Sequence, residues 1–127
     1  MIDSLSGALA SRINMFRPLA HSRGLDMDIH VPANLNMKAD PELVVIVIDT
    51  LIHVALKNGC NGKVIISAQS PFSTLMLDIL LRCEETAPKA ALMEEELALI
   101  TPLFQQLKVN LKVSNPSATS LLFHLKL

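Results

Sequence analysis

The sequence has 127 residues, half of them hydrophobic, with a net charge of −1 and four aromatic residues that are all phenylalanine. This length suits one domain with one core. The lack of a basic block and the scarcity of stacking rings argue against nucleic-acid binding. The longest nearly apolar run, residues 43–56, is shorter than the ~20 residues of a membrane span, so we expect no membrane insertion by this segment.

The two cysteines, Cys60 and Cys83, are far apart in the sequence, and neither has a second cysteine nearby. A structural zinc site needs closely spaced Cys or His ligands, and the four histidines show no such spacing. We therefore expect no metal ion and two buried thiols, as is usual in a reducing cytoplasm.

The chain begins with a predicted helix followed by a predicted strand. Apolar residues at helical spacing, among them Ile13 and Phe16, predict a helix that ends near His21, with Pro18 as a kink or an end. From residue 25 to residue 31, apolar residues alternate with polar residues, which predicts a half-buried strand.

A second helix is predicted in the middle of the chain. Asp40 is a suitable N-cap, and Pro41 stands at the first helical position, where its missing N–H group costs nothing. Asn58 and Gly59 predict the end of this helix, because glycine readily takes the left-handed conformation there.

The second half of the chain predicts four strands and one more helix. Two strands precede the helix and two follow it, each with alternating apolar and polar residues. The helix extends over residues 90–107, and Pro102 divides it. The side chains expected to face the core are Val64, Ile66, Ala68, Leu75, Leu77, Ile79, Leu81, Val109, Leu111, Val113, Leu121, Phe123, Leu125 and Leu127.

The predicted order of elements is helix, strand, helix, two strands, helix and two strands. Because one face of the sheet is predicted to be apolar and the other polar, the helices should share the apolar face. The predicted fold class is therefore α+β: a two-layer α/β sandwich with the helices packed on one face of a mixed sheet.

The middle helix carries a motif. An Asp-Pro pair at Asp40 is followed by an apolar helix that ends with Ala55 and Lys57, and this segment resembles the N-box region of sensor histidine kinase ATPase domains of the GHKL type. That family reads Asp-Pro and then Asn-Leu-Leu-x-Asn-Ala-x-Lys. Aligned on Asp40, the sequence has Thr50 at the first Asn and Val54 at the second.

The resemblance implies a truncated kinase-ATPase-like fold without a nucleotide lid, because such a lid is glycine-rich and the last glycine of the chain is Gly62. The second Asn is the family's Mg²⁺ ligand, and Val54 has no lone pair to offer. Residues 82–88 stand where the family has the Asp-x-Gly-x-Gly segment that binds adenine. We therefore expect a degenerate domain that is not an enzyme, with no catalytic residues and no nucleotide or other cofactor.

The resemblance further implies a role in a bacterial two-component phosphorelay. We expect a non-catalytic interaction module that docks a response regulator receiver domain or positions an adjacent phosphotransfer domain, similar to the ATPase-like module of the Rcs phosphotransfer intermediate protein. Receiver domains have an acidic pocket, so Arg12, Arg17 and Arg23 are the candidate docking residues. Residues 1–127 would form one cytoplasmic domain of a larger signalling protein. One arrangement that fits this expectation is a parent protein anchored in the bacterial inner membrane.

Two other functions remain open at this point: an active ATP-binding kinase fragment with divergent motifs, and a structural dimerisation module. Val47 and Val54 would lie where the family binds ATP. This apolar stripe must be covered, either by the chain itself or by a partner.

Other polar groups have ordinary structural explanations. His53 is predicted to be a boundary side chain of the second helix with a satisfied hydrogen bond. Asp26, Asp28 and His30 share one strand face, which alternation alone explains as a solvated face rather than a metal site. The acidic run at residues 94–96 is predicted near a helix start, where the helix dipole favours negative charge.

Overall fold

The computed structural model describes residues 5–32, 41–58, 61–69, 74–106 and 108–126. The predictions that concern Asp40, Gly59 and Cys60 fall outside these residues. The elements are helix α1 (Leu5–Ser22), strand β1 (Leu25–His30), helix α2 (Pro41–Asn58), strands β2 (Gly62–Gln69) and β3 (Met76–Cys83), helices α3 (Ala90–Leu97) and α4 (Thr101–Gln106), and strands β4 (Asn110–Ser117) and β5 (Ser120–Lys126). Apart from the division of the last helical region into two, their order is the predicted one.

The five strands form one mixed sheet in the order β1-β2-β3-β5-β4. Strands β1 and β2 are parallel, because the crossover through α2 returns the chain to the same end of the sheet. The other neighbours, β2–β3, β3–β5 and β4–β5, are antiparallel. The predicted α+β class with a mixed sheet is confirmed.

Every second residue of the inner strands faces the helices and is buried. These residues are Val64, Ile66, Ala68, Leu77, Ile79, Leu81, Leu121, Phe123 and Leu125. Helices α1 and α2 pack on this side and contribute Ile13, Ala20, Val44, Val47, Ile48, Leu51 and Ile52. The core therefore lies between the helices and one face of the sheet, as the alternation predicted.

Proline affects the two helical regions differently. Helix α1 continues through Pro18 to Ser22, so Pro18 does not end it. The predicted division of the last helical region is confirmed, but the break lies at residues 98–100, before Pro102. Pro102 instead stands in the first turn of α4, where a backbone N–H group has no helical acceptor. None of the described helices is both long and apolar enough to cross a membrane.

The face of the sheet turned away from the helices, which we call the open face, is less polar than the alternation predicted. It has a row of three half-buried aliphatic side chains, Ile65, Leu80 and Leu122, on the neighbouring strands β2, β3 and β5. Polar residues, among them Asp78 and His124, stand beside this row.

Candidate functional site

The side of α2 that carries the motif is closed by the chain itself. Val47 and Val54 are 1% and 8% exposed, respectively, and both belong to the core. The Thr50 hydroxyl donates a hydrogen bond to the Ile46 carbonyl one turn earlier, at 2.9 Å. Of the two coverings that the sequence left open, self-burial is the one found.

The C-terminal end of α2 is tied to α3 by three polar side chains, Lys57, Asn58 and Glu96, which we call the α2–α3 bridge. The Lys57 ammonium donates to Glu96 Oε1 at 3.0 Å and forms a salt bridge with it. The Asn58 amide donates to Glu96 Oε2 at 3.0 Å and to the Val54 carbonyl at 2.9 Å. Both carboxylate oxygens are used, and α3 is held against the motif helix.

The bridge influences the ionisation of Glu96. The hydrogen bond from Lys57 is the main cause that lowers the pKa of Glu96 below its ordinary value; partial burial opposes it, and the Asn58 amide adds to the lowering. The Glu96 side chain is 27% exposed and that of Lys57 is 60% exposed, so solvent screens the pair. At neutral pH the ammonium group of Lys57 is therefore already paired with the Glu96 carboxylate.

The expectation that the acidic run at residues 94–96 lies near a helix start is wrong. Helix α3 begins at Ala90 and ends at Leu97, so the run stands in its C-terminal half, and the first turn has no acidic residue. Glu96 instead contacts Lys57, which is 39 positions away in the chain. Sequence reasoning missed this contact because no local pattern signals a pair so far apart.

The motif positions do not fit the Mg²⁺ site that the resemblance implies. Val54 is a buried aliphatic side chain, and the hydroxyl of Thr50 is bonded to the helix backbone. A cavity of ≈240 Å³ between α3, α4 and β4 is lined by other residues, including Phe104 and Val113. Binding of a nucleotide with Mg²⁺ would therefore need metal-ligand atoms from residues other than those at positions 50 and 54.

The three predicted docking arginines lie on or just after α1 but are directed to different parts of the molecule. Arg12 forms a salt bridge with Asp49 of α2, at 3.0 Å. Arg17 donates to a backbone carbonyl of β1 at 3.3 Å, and Arg23 donates to one in the last turn of α2 at 3.0 Å. Arg12 and Arg17 are about 140° apart around the helix, so they do not form one cluster.

Asp49 ties Arg12 to the interior of the domain. Its Oδ2 atom faces Arg12, whereas its Oδ1 atom is buried and has no hydrogen-bond partner among the residues that the structure describes. Burial is the main cause that raises the pKa of Asp49, and the positive charge of Arg12 opposes the rise. Arg12 therefore compensates a partly desolvated carboxylate, which leaves it less available to a partner.

Arg17 lines a groove between α1 and β1. The groove has a volume of ≈410 Å³, and His21 stands on the same helical wall, with Asp26 on the strand. The described sequence of α1 contains no acidic residue. Of the three arginines, Arg17 is the one that lines this groove.

The strand face with Asp26, Asp28 and His30 is solvated. Asp28 pairs with Lys63 of the neighbouring strand at 3.1 Å, and Asp26 and His30 are exposed. His53 is also exposed, on α2. Within the described ranges, no three His, Cys, Asp or Glu side chains are placed to hold a metal ion.

No protein-family model and no curated protein matches the chain, whereas solved structures match it along nearly its whole length. The histidine kinase AdeS of Acinetobacter baumannii matches with a TM-score of 0.80 and 18% identity, over 100% of this chain and 66% of AdeS. The catalytic domain of the histidine kinase ThkA matches with a TM-score of 0.78 and 14% identity, over 98% of this chain and 91% of that domain. The fold is that of a histidine kinase catalytic domain.

ThkA in complex with the response regulator protein TrrA also matches, with a TM-score of 0.76 and 14% identity, over 98% of this chain and 40% of the ThkA chain. At these identities the likeness establishes the fold, because one fold hosts many activities. The kinase-like part of the sequence resemblance is thus confirmed for the fold.

The expectation that the chain is not an enzyme is contradicted by these matches. The structures that share its fold are histidine kinases, and the ThkA structures are catalytic domains. The expectation rested largely on the side chains at positions 50 and 54 and on the missing glycines. Altered residues in a motif do not establish inactivity.

Proposed function

We propose that this chain is the kinase-ATPase-like domain of a bacterial two-component protein and that it binds the receiver domain of a response regulator. The fold match over nearly the whole chain to histidine kinases, one of them in complex with a response regulator protein, carries this proposal. The domain belongs to a larger cytoplasmic assembly that includes a phosphotransfer domain.

The groove between α1 and β1 is the receiver-binding surface in this proposal. Arg17 and His21 line its α1 wall, where the described helix has no carboxylate, and Asp26 lines the β1 wall. The acidic pocket of a receiver domain complements the α1 wall of the groove and is attracted to it during the encounter. Arg12 and Arg23 contact α2 rather than the groove, and in this proposal they add only longer-range positive charge.

The experiment is a titration of the ¹⁵N-labelled domain with bacterial receiver domains, followed by amide shifts. We expect shifts confined to α1 and β1 and a roughly fivefold to tenfold weaker affinity for Arg17→Glu, since an exposed charge at the edge of a binding surface contributes modestly to affinity even where it lines the groove. Lys89→Glu is the matched control, because it makes the same charge change at an exposed position at the start of α3. The triple change of Arg12, Arg17 and Arg23 to Glu should weaken binding further.

Two results would count against this proposal in different ways. Unchanged affinity of Arg17→Glu, with shifts elsewhere, would remove the groove as the docking surface and leave receiver binding intact. No shifts with any receiver domain tested would remove the function itself.

Nucleotide binding by an active kinase domain is the second candidate. The fold match to catalytic domains favours it, whereas the Glu96 carboxylate already binds Lys57 and Asn58 and would have to release them to an incoming phosphate. Adding ATP with Mg²⁺ to the same labelled sample tests it. Saturable shifts at the α2–α3 bridge would support it, and unchanged spectra at millimolar ATP would reject it.

A further inference from the structure

Strand β4 forms one edge of the sheet, and its outer side has no strand partner among the residues that the structure describes. Residues 110–114 pair regularly with β5, which leaves the backbone N–H and C=O groups of every second residue directed away from the sheet. No described backbone group outside the sheet hydrogen-bonds to this stretch. The edge is therefore a row of unpaired donors and acceptors, which is the usual template for pairing with another extended chain.

The features that normally protect a sheet edge are confined to the C-terminal end of β4. The register shift with β5 and Pro116 both lie beyond Ser114. Asn115 donates hydrogen bonds to two backbone carbonyls of other segments there. Bulges and prolines keep an edge from pairing with another chain, and residues 110–114 have neither. This stretch is therefore free to accept a further strand.

The cavity of ≈240 Å³ between α3, α4 and β4 lies beside this edge. Its apolar walls are Leu97 and Phe104 of the helices and Leu111 and Val113 of β4. No residue of β5, the inner neighbour of β4, is among those that line the cavity, so the cavity is on the outer side of β4. It is smaller than the about 300 Å³ at which pockets for small molecules begin, so it has room for one or two side chains.

The charges at this edge differ between its two sides. Lys112 alternates with the lining residues of β4, so it points away from the cavity, and Lys126 of β5 is exposed on the same side. The carboxylate nearest to Lys112 along the strand register, Asp78, already pairs with His124. Glu94 stands at the rim of the cavity, on the helix side. An added strand would therefore meet positive charge on the side away from the helices and an apolar cavity with an acidic rim on the other.

We propose that the free edge of β4 binds an extended protein segment in which apolar and acidic residues alternate. The backbone of the segment pairs with residues 110–114 and adds a strand to the sheet. An acidic residue aligned with Lys112 contacts its ammonium group, and the apolar residues before and after it enter the cavity. A shift by one residue would place acidic side chains beside Glu94, so the register is specified. The inference goes beyond the proposed function, because the receiver-binding groove lies at β1, the opposite edge of the sheet.

The experiment is a titration of the ¹⁵N-labelled 127-residue chain with the synthetic peptide acetyl-Thr-Leu-Glu-Leu-Glu-Leu-Thr-amide. We expect saturable amide shifts in β4, α3 and α4 with a Kd on the order of 100 μM, since a short flexible peptide loses conformational freedom on binding. The outward amides of residues 110–114 should exchange with solvent at least about tenfold more slowly in the complex, because they become hydrogen-bonded. Of two N-methylated peptides, one modified on its leucines and one on its glutamates, a single one should lose binding, because a strand directs its N–H groups alternately to either side.

Two substitutions test the side-chain contacts. Lys112→Glu should weaken binding at least about fivefold, and it should favour a peptide with lysine in place of both glutamates. Arg82→Glu is the matched control, because it makes the same charge change at an exposed position on β3, which is not adjacent to β4. Gln105→Trp should also weaken binding, since it fills the cavity from an exposed position on its rim.

Four results would overturn the inference. The first is the lack of saturable shifts up to about 2 mM peptide, beyond the weak affinities considered. The second is equal binding of both N-methylated peptides, which would exclude strand pairing. The third is an affinity of Lys112→Glu equal to that of Arg82→Glu, which would exclude the charge contact. The fourth is slow exchange of the outward amides of residues 110–114 without peptide at about 1 mM protein, which would show that a second copy of the chain occupies the edge.

Discussion

Asp49 on α2 shows that the burial of a side chain and its partners, and not only its residue type, determine what it does in the fold. Asp49 keeps a salt bridge to Arg12, yet one of its oxygens is buried with no hydrogen-bond partner in the described part of the chain. Because burial outweighs the attraction of Arg12, the pKa of Asp49 is raised. The charged form is thus less favourable in the folded state than in the unfolded chain.

The change Asp49→Asn removes both the desolvated charge and the ion pair. We expect the free energy of unfolding at pH 7 to stay the same or rise by up to about 1 kcal/mol, because burial disfavours the Asp49 charge and the Arg12 side chain that is left behind is 38% exposed and stays hydrated. Urea unfolding measures it, with Asp26→Asn at an exposed position as the control. A loss of more than about 1 kcal/mol would contradict the expectation, since it would show a net favourable pair.

The pH dependence of this variant has a definite sign. A raised pKa in the folded state gives stability that is fully present below the ordinary pKa and is lost as pH rises through the folded pKa. The wild type should therefore gain stability relative to Asp49→Asn when the pH falls from 7 to 4. A constant difference between the two proteins over that range would show that Asp49 does not titrate differently on folding.

Helix α3 is a short element whose position depends on side chains of another helix. It has eight residues and no side-chain hydrogen bond at its N-cap, Lys89, so local interactions hold it weakly. Met93 and Leu97 pack into the core, and Glu96 accepts hydrogen bonds from Lys57 and Asn58 at the end of α2. The α2–α3 bridge thus determines how closely α3 covers the motif helix.

We expect Glu96→Ala to lower the free energy of unfolding at pH 7 by less than about 1 kcal/mol, because the salt bridge is exposed and screened. A lowered folded-state pKa gives stability that is present above the ordinary pKa of Glu and is lost as pH falls through the folded value. The difference between wild type and variant should therefore shrink between pH 5 and pH 3. Urea unfolding measures it, with the exposed Glu95→Ala on the same helix as the control.

Most of the fold could be predicted from sequence patterns. Alternation in the strands and helical spacing in α1 and α2 are local consequences of backbone geometry. The patterns therefore predicted the bounds of these elements to within a few residues. The division near Pro102 followed from the chemistry of proline. The open face was the exception, because alternation says which residues share a face but not that Ile65, Leu80 and Leu122 line up across three strands.

The candidate site was less predictable, because its contacts join distant parts of the chain. The motif segment indicated a kinase-like helix. Its sequence alone does not say whether Val54 is buried, and two altered motif positions do not decide whether the domain is active. Arg12, Arg17 and Arg23 were chosen for charge, whereas their separate partners on α2 and β1 became visible only in three dimensions.

The sequence by itself therefore determined the elements, their order, the α+β class and the resemblance to a kinase ATPase domain, since each depends on residues close together in the chain. The tertiary structure decided that α2 is covered by its own chain, that Glu96 holds Lys57, and that an apolar row crosses the open face. These features arise from packing between elements, and packing depends on contacts that no local pattern encodes.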